Sequence, residues 1–270
     1  MAVTGNGRQV IYICYIEYYN PQTFNAMKAR FLPHLALPLV LLATLPAFRP
    51  AGMPTKAVAA DGREVRQVAA FSKLTLATSA EVILVQGSTQ KVEVSGSAED
   101  LKELTTTVEN GRLTVGTVQK NWNNWRGFKG SVKVYVTMPS IEALAVSGSG
   151  QLHADQMLRG GSVQVAVSGS GQLRAPLTAE SIEANVSGSG SLKLSGSTTS
   201  LNAGISGSGR IEAGELAAKT CEARLSGSGN CRVNVAQTLD ARISGSGNVY
   251  YAGSPRVTSH VAGSGRVSKS

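Results

Sequence analysis

Residues 163–213 read VQVAVSGSGQLRAPLTAESIEANVSGSGSLKLSGSTTSLNAGISGSGRIEA. Three copies of Ser-Gly-Ser-Gly punctuate this stretch, each preceded by an aliphatic residue. On both sides the apolar residues alternate with polar ones, as in Val163, Val165, Val167 before one copy and Leu173, Ala175 after it. A period of two places apolar side chains on one side of a strand and polar ones on the other. Working outward, the same tetrapeptide begins at Ser147, Ser168, Ser187, Ser206, Ser226 and Ser244, with a degenerate copy at Ala262, in steps of 21, 19, 19, 20, 18 and 18 residues. Near-identical copies at an almost constant period are the signature of stacked structural repeats. The reading is an all-β chain forming a parallel β-solenoid of right-handed winding, with a corner at each SGSG.

The corner glycines are Gly148 and Gly150, Gly169 and Gly171, Gly188 and Gly190, Gly207 and Gly209, Gly227 and Gly229, Gly245 and Gly247, and Gly263 and Gly265. Glycine reaches positive φ without strain and lets stacked backbones approach. A phosphate-cradling loop would need a following helix and a Gly-Lys-Ser/Thr or G-x-G-x-x-G pattern, and neither follows these copies. Calcium-binding repeat turns would need Asp, which these turns lack. One coil orders more backbone than its few large apolar side chains offset, so each coil must stack on a neighbour. Seven levels at about 4.8 Å make a rod of about 34 Å.

Four segments follow from composition. Residues 1–26 are foreign to the rest, holding four of the seven Tyr and one of the three Cys, and read as an extension ahead of the true start at Met27. Residues 27–60 read as a signal peptide: Lys28 and Arg30, then the 14-residue apolar run Leu35–Phe48, then Ala57-Val58-Ala59. That run is shorter than the about 20 residues a membrane span requires and contains Pro38 and Pro46. No stable span remains after cleavage. Residues 61–140 are strand-rich but irregular and read as divergent capping coils, and 141–270 as the regular solenoid. In the capping segment Ser97-Ala98-Glu99-Asp100 opens a short helix to Leu104, and Asn110-Gly111 signals a hairpin. Val132–Thr137 leads into the solenoid.

The net charge of +9 falls to +5 over the 210 residues after position 60. Those charges are scattered singly, without the basic run of a nucleic-acid binder. His153 and His260 both lie in the outward phase without a Cys/His/Asp cluster at metal spacing. The ladder one residue after each corner (Gln151, Gln172, Ser191, Arg210, Asn230, Asn248, Arg266) is polar and carries no carboxylate, so it offers no acid–base pair. Cys221 and Cys231 fall in the inward phase with a corner between them. The residues imply no catalytic group, metal or cofactor. The best candidate contact site is the loop with both tryptophans, Trp122, Trp125, Arg126 and Phe128, whose rival role is to seal the first coil.

The layout resembles bacterial envelope proteins, the auto-transporter adhesins with a head GIN domain. The resemblance rests on Phe71, the Val82–Gly87 strand and turn, Leu101 with Asn110-Gly111-Arg112-Leu113, Met138-Pro139, the SGSG series and Tyr251-Ala252-Gly253-Ser254-Pro255. It covers about Val68 to Val267. Residues 1–26 and the two inward cysteines depart from it. It implies a β-solenoid, export to the periplasm or cell surface, and no catalytic residues. The expected function is a non-catalytic adhesin-like or structural module whose partner class is a cell-surface polymer or protein. The alternatives are a degenerate carbohydrate-active β-helix, which would need paired carboxylates on one face, and an envelope sensor domain, which would need a tether. If the signal reading holds, mass spectrometry of the exported protein will find its N-terminus at Ala60 or Asp61, without residues 1–26.

Overall fold

The computed structural model describes residues 63–118 and 128–270. The signal segment, residues 1–26, and Trp122, Trp125 and Arg126 of the tryptophan loop lie outside the described residues. The irregular part runs β1 (Glu64–Val65), β2 (Lys73–Leu76), β3 (Glu81–Gln86), β4 (Lys91–Ser95), α1 (Ala98–Glu103), β5 (Leu104–Glu109), β6 (Arg112–Thr117) and β7 (Lys133–Met138). The repeats begin with β8 (Ala143–Gly148), β9 (Gln151–Ala154) and β10 (Leu158–Gly169). Long strands that bend around the rod follow: β11 (Gln172–Gly188), β12 (Ser191–Gly207), β13 (Arg210–Gly227) and β14 (Asn230–Gly245). β15 (Asn248–Gly253), β16 (Arg256–Ala262) and β17 (Arg266–Lys269) end the chain.

These strands form a parallel β-solenoid of about 7 turns. Each repeat supplies three sides. An approach face leads into the SGSG, with Val163, Ile182, Leu201, Cys221 and Leu239 in one inward column. An exit face follows it, with Leu152, Leu173, Leu192, Ile211, Cys231 and Val249 in another. A return face carries Leu158 and Leu177 inward. All of these side chains are buried, so equivalent positions of successive repeats stack into continuous apolar columns. Burying them drives the stacking. The parallel ladder hydrogen bonds fix its register.

The irregular part does not stack in chain order. β2 pairs with β8 on one side and with β6 on the other, and β3 lies likewise between β9 and β7, all in parallel register. The first coil of the chain is therefore sandwiched between two later ones. β7 leads along the chain into β8 but does not stack on the repeats; β3 stands between β7 and β9. Alternation reports which side of a strand is buried, and β7 satisfies it equally well on the far side of β3. Antiparallel strands then close this end: β4 on β7, β1 on β4, and β5 on β6. The β5–β6 hairpin turns at Asn110 and Gly111, with φ of 50° and 70°, the positive pair a tight two-residue hairpin requires.

The short helix is anchored by Asp100, which is buried. Ser97 Oγ accepts from the Asp100 N–H at 3.1 Å and donates to its Oδ2 at 2.7 Å. The N–H groups of Lys129 and Gly130 donate to the same carboxylate at 2.8 and 3.1 Å. The Ser97 hydroxyl first, and then the Lys129 N–H, hold this carboxyl below its usual pKa. A lowered native pKa adds stability that is complete above the unfolded value of about 3.9 and lost as pH falls through the native value. Asp100→Asn should therefore lower the thermal midpoint at pH 7 and flatten its decline below about pH 4, measured by circular dichroism across pH.

Candidate functional site

The SGSG corners are built from two glycines with different duties. The first takes positive φ: 104° at Gly188, within a range of 101° to 128° from Gly148 to Gly263. A Cβ on Gly188 would also stand 2.7 Å from the Gly169 carbonyl oxygen; the second glycine has an ordinary φ and again no space. At Gly190 a Cβ would stand 2.5 Å from Val167 Cγ1 and 2.8 Å from the Gly171 carbonyl oxygen. The corner N–H groups point along the rod: Ser189 donates to the Gly169 carbonyl at 2.9 Å and Ser191 to the Gly171 carbonyl at 3.0 Å, and the copies beginning at Ser168, Ser206, Ser226 and Ser244 do the same. Donors committed to the coil below are not free to cradle a phosphate. A third kind of corner glycine was not singled out in the sequence: Gly196 has φ 112°, and a Cβ there would sit 2.4 Å from the Leu177 carbonyl oxygen.

The polar ladder of the exit face is continuous, with Gln151, Gln172, Ser191 and Arg210 in register. Asn230, Asn248 and Arg266 continue it. Its other end corrects the sequence reading. Glu81 registers with Gln151 and Lys133 with Glu81, so the ladder does hold a carboxylate, contributed by the interleaved first coil. Glu81 is occupied by Lys133 Nζ at 3.3 Å, with His153 Nδ1 at 3.8 Å. A second outward column runs beside it: His153, Arg174, Lys193, Glu212, Arg232 and Tyr250. Its signal was present in the sequence, since each of these residues lies six after the first position of an SGSG.

On the approach face, Glu222 and Asp240 are register partners on adjacent coils, the carboxylate pair an enzyme of this shape would need. Arg224 contacts Glu222, and Arg242 reaches Glu222 at 3.7 Å and Asp240 at 2.9 Å. A glycosidase pair flanks the scissile bond from two sides. Here both carboxylates stand in one column and share the Arg242 guanidinium. Beside them a shallow groove of about 520 Å³ is lined by Ser206, Arg224, Ser226, Arg242, Ser244 and His260.

Cys221 and Cys231 are free buried thiols in the columns the sequence placed them in. Burial, with a smaller contribution from Glu222, pushes the Cys221 thiol up to about 12. Burial raises Cys231 as well. A thiol held protonated and out of solvent is neither nucleophile nor metal ligand. Among the described residues no group of three His, Cys, Asp or Glu side chains could hold a metal. Phe128, the described member of the tryptophan loop, is half-buried and packs against the core.

A family profile described as "Putative auto-transporter adhesin, head GIN domain" matches residues 70–255. The chain belongs to this family. No curated protein matches it. Similar solved structures include a "putative adhesin" from Bacteroides fragilis NCTC 9343, 24% identical with a TM-score of 0.72, covering 77% of this chain and 96% of that one. A "putative lipid binding protein" from Parabacteroides distasonis ATCC 8503 is 23% identical with a TM-score of 0.64, covering 77% and 97%. A "putative adhesin" from Parabacteroides merdae ATCC 43184 is 20% identical with a TM-score of 0.60, covering 77% and 95%. At these identities the likeness is one of fold. The head GIN match spans both the interleaved end and the SGSG corners. No helix among the described residues is long and apolar enough to cross a membrane.

Both glycines should resist substitution, Gly188 by φ as well as by contact and Gly190 by contact alone. Gly188→Val should cost about 1–3 kcal/mol through the strained φ, and Gly190→Ala a comparable amount by overpacking. Glu183→Ala, on the outward side of the same coil, should change stability by less than about 0.5 kcal/mol in the same urea titration.

Proposed function

We propose that this head GIN protein is an exported, non-catalytic module of the bacterial cell envelope that binds through its outward sheet faces. The observation that carries the reading is the division of labour within each coil. Corner donors and inward side chains are committed to stacking, while the outward side chains form flat polar columns running from coil to coil. Such a face suits an extended partner touching several coils, as the concave surfaces of other repeat proteins do. Family membership supports adhesion as the kind of contact. The arginine clamp on Glu222 and Asp240 supports binding rather than hydrolysis.

Two measurements test this. Fractionation of the native host should find the mature chain in the periplasmic or surface fraction and not in the cytoplasm. Purified protein should be retained by envelope polymers while releasing no reducing ends from them, and Glu222→Gln should leave that retention within about twofold of wild type. Hydrolysis that disappears in Glu222→Gln would replace this reading with the carbohydrate-active one.

A further inference from the structure

We propose that the exit face is a binding surface for a linear acidic polysaccharide lying along the solenoid axis. The inference rests on the binding-module reading above and assigns it a face and a ligand class. Six cations point outward from this face: Lys133, Arg174, Lys193, Arg210, Arg232 and Arg266, against the carboxylates Glu81 and Glu212 in the same columns and Glu215 beside them. In the chain each cation is at least 17 residues from the next. The parallel register brings them into two adjacent columns, turning isolated charges into a basic stripe.

Three of the six are already engaged: Lys133 by Glu81 at 3.3 Å, Lys193 by Glu215 at 3.1 Å and Arg232 by Glu212 at 3.2 Å. Arg174, Arg210 and Arg266 are exposed and have no carboxylate partner among the described residues. The approach face differs. Its outward Arg224 and Arg242 are both neutralised by the Glu222–Asp240 pair. Charge therefore favours the exit face over the approach face for an anionic partner.

The spacing and the groups between the charges argue for a sugar polymer. Arg174 and Arg210 stand two coils apart, about 10 Å along the axis, comparable with one disaccharide. The intervening positions of the ladder are Gln172 and Ser191, followed beyond Arg210 by Asn230 and Asn248, whose side chains bond to each other at 3.2 Å. Amides and a hydroxyl both donate and accept, which matches sugar hydroxyls. Tyr250 adds a half-exposed ring, with the Arg232 guanidinium 5.9 Å from its centroid. A single-stranded nucleic acid would call for several aromatic platforms between the cations, and a duplex for a protruding element to enter a groove. The described part of this flat face has neither: its other outward tyrosine, Tyr135, is covered by the Arg63 guanidinium at 3.7 Å, and Tyr251 packs against the core.

The test is retention of the full chain on immobilised polygalacturonate, chondroitin sulfate, neutral dextran and single-stranded DNA, at low and high salt. Wild type should bind at least one acidic polysaccharide, more weakly as salt rises, and should bypass dextran. The Arg174→Gln/Arg210→Gln/Arg266→Gln variant should bind about tenfold or more weakly. The Arg224→Gln/Arg242→Gln variant should stay within about twofold of wild type. All substituted positions are exposed, and unchanged circular dichroism will show that the variants fold. Equal losses in the two variants, or wild type that ignores both acidic polysaccharides, would overturn the proposal, as would tighter binding to DNA. If wild type ignores these polymers but still adheres to intact cells, this ligand assignment fails while the binding-module reading stands. If the chain is cytoplasmic and adheres to nothing, that underlying reading fails too.

Discussion

Everything in this molecule depends on one coil's corner being able to sit on the corner below it. Contact there is backbone against backbone: the Gly carbonyls of one SGSG accept the Ser N–H groups of the next, and no Cβ fits between them. Because the corners coincide, residues at equal distance from them also coincide. Inward positions become apolar columns and outward positions become surface columns, without further instruction. The chemistry of each face is thus decided one residue per repeat, by what occupies a given offset from the glycine.

That dependence explains which features could be read from the residues. SGSG at a steady period, with alternation on either side, is enough to place Cys221 under Leu239 and Cys231 under Val249 and to put Gln151 and Gln172 in one ladder. The position of β2 and β3 was not legible. Their alternation states that one side is buried and is silent about which later strands do the burying, so Glu81 was left out of the ladder it belongs to. Gly196 escaped because it has no repeating partner in the neighbouring coils, where Leu177 and Leu216 take its place.

The basic stripe shows a different limit. Along the chain Arg174, Arg210 and Arg232 are single cations with no basic neighbour, and a search for basic runs passes over them. A charge cluster in a parallel solenoid is perpendicular to the chain and must be sought at constant offset from the corners. The same offset rule separates the faces electrostatically. Arg224 and Arg242 have acidic residues two positions before them, whereas Arg174 has none.

The sandwiched first coil also bears on how such a molecule is made and altered. β2 and β3 have partners on both sides, and all of those partners are synthesised later. The first coil in the chain is thus the layer from which the finished stack extends in two opposite directions. One way it ends within a few strands at the antiparallel closure of β1, β4 and β5. The other way its length is set only by how many SGSG units follow. Duplication or loss of an 18- to 21-residue unit beyond β9 would lengthen or shorten the rod while leaving that layer and its closed end untouched, giving the lineage an adjustable reach from one fixed foundation.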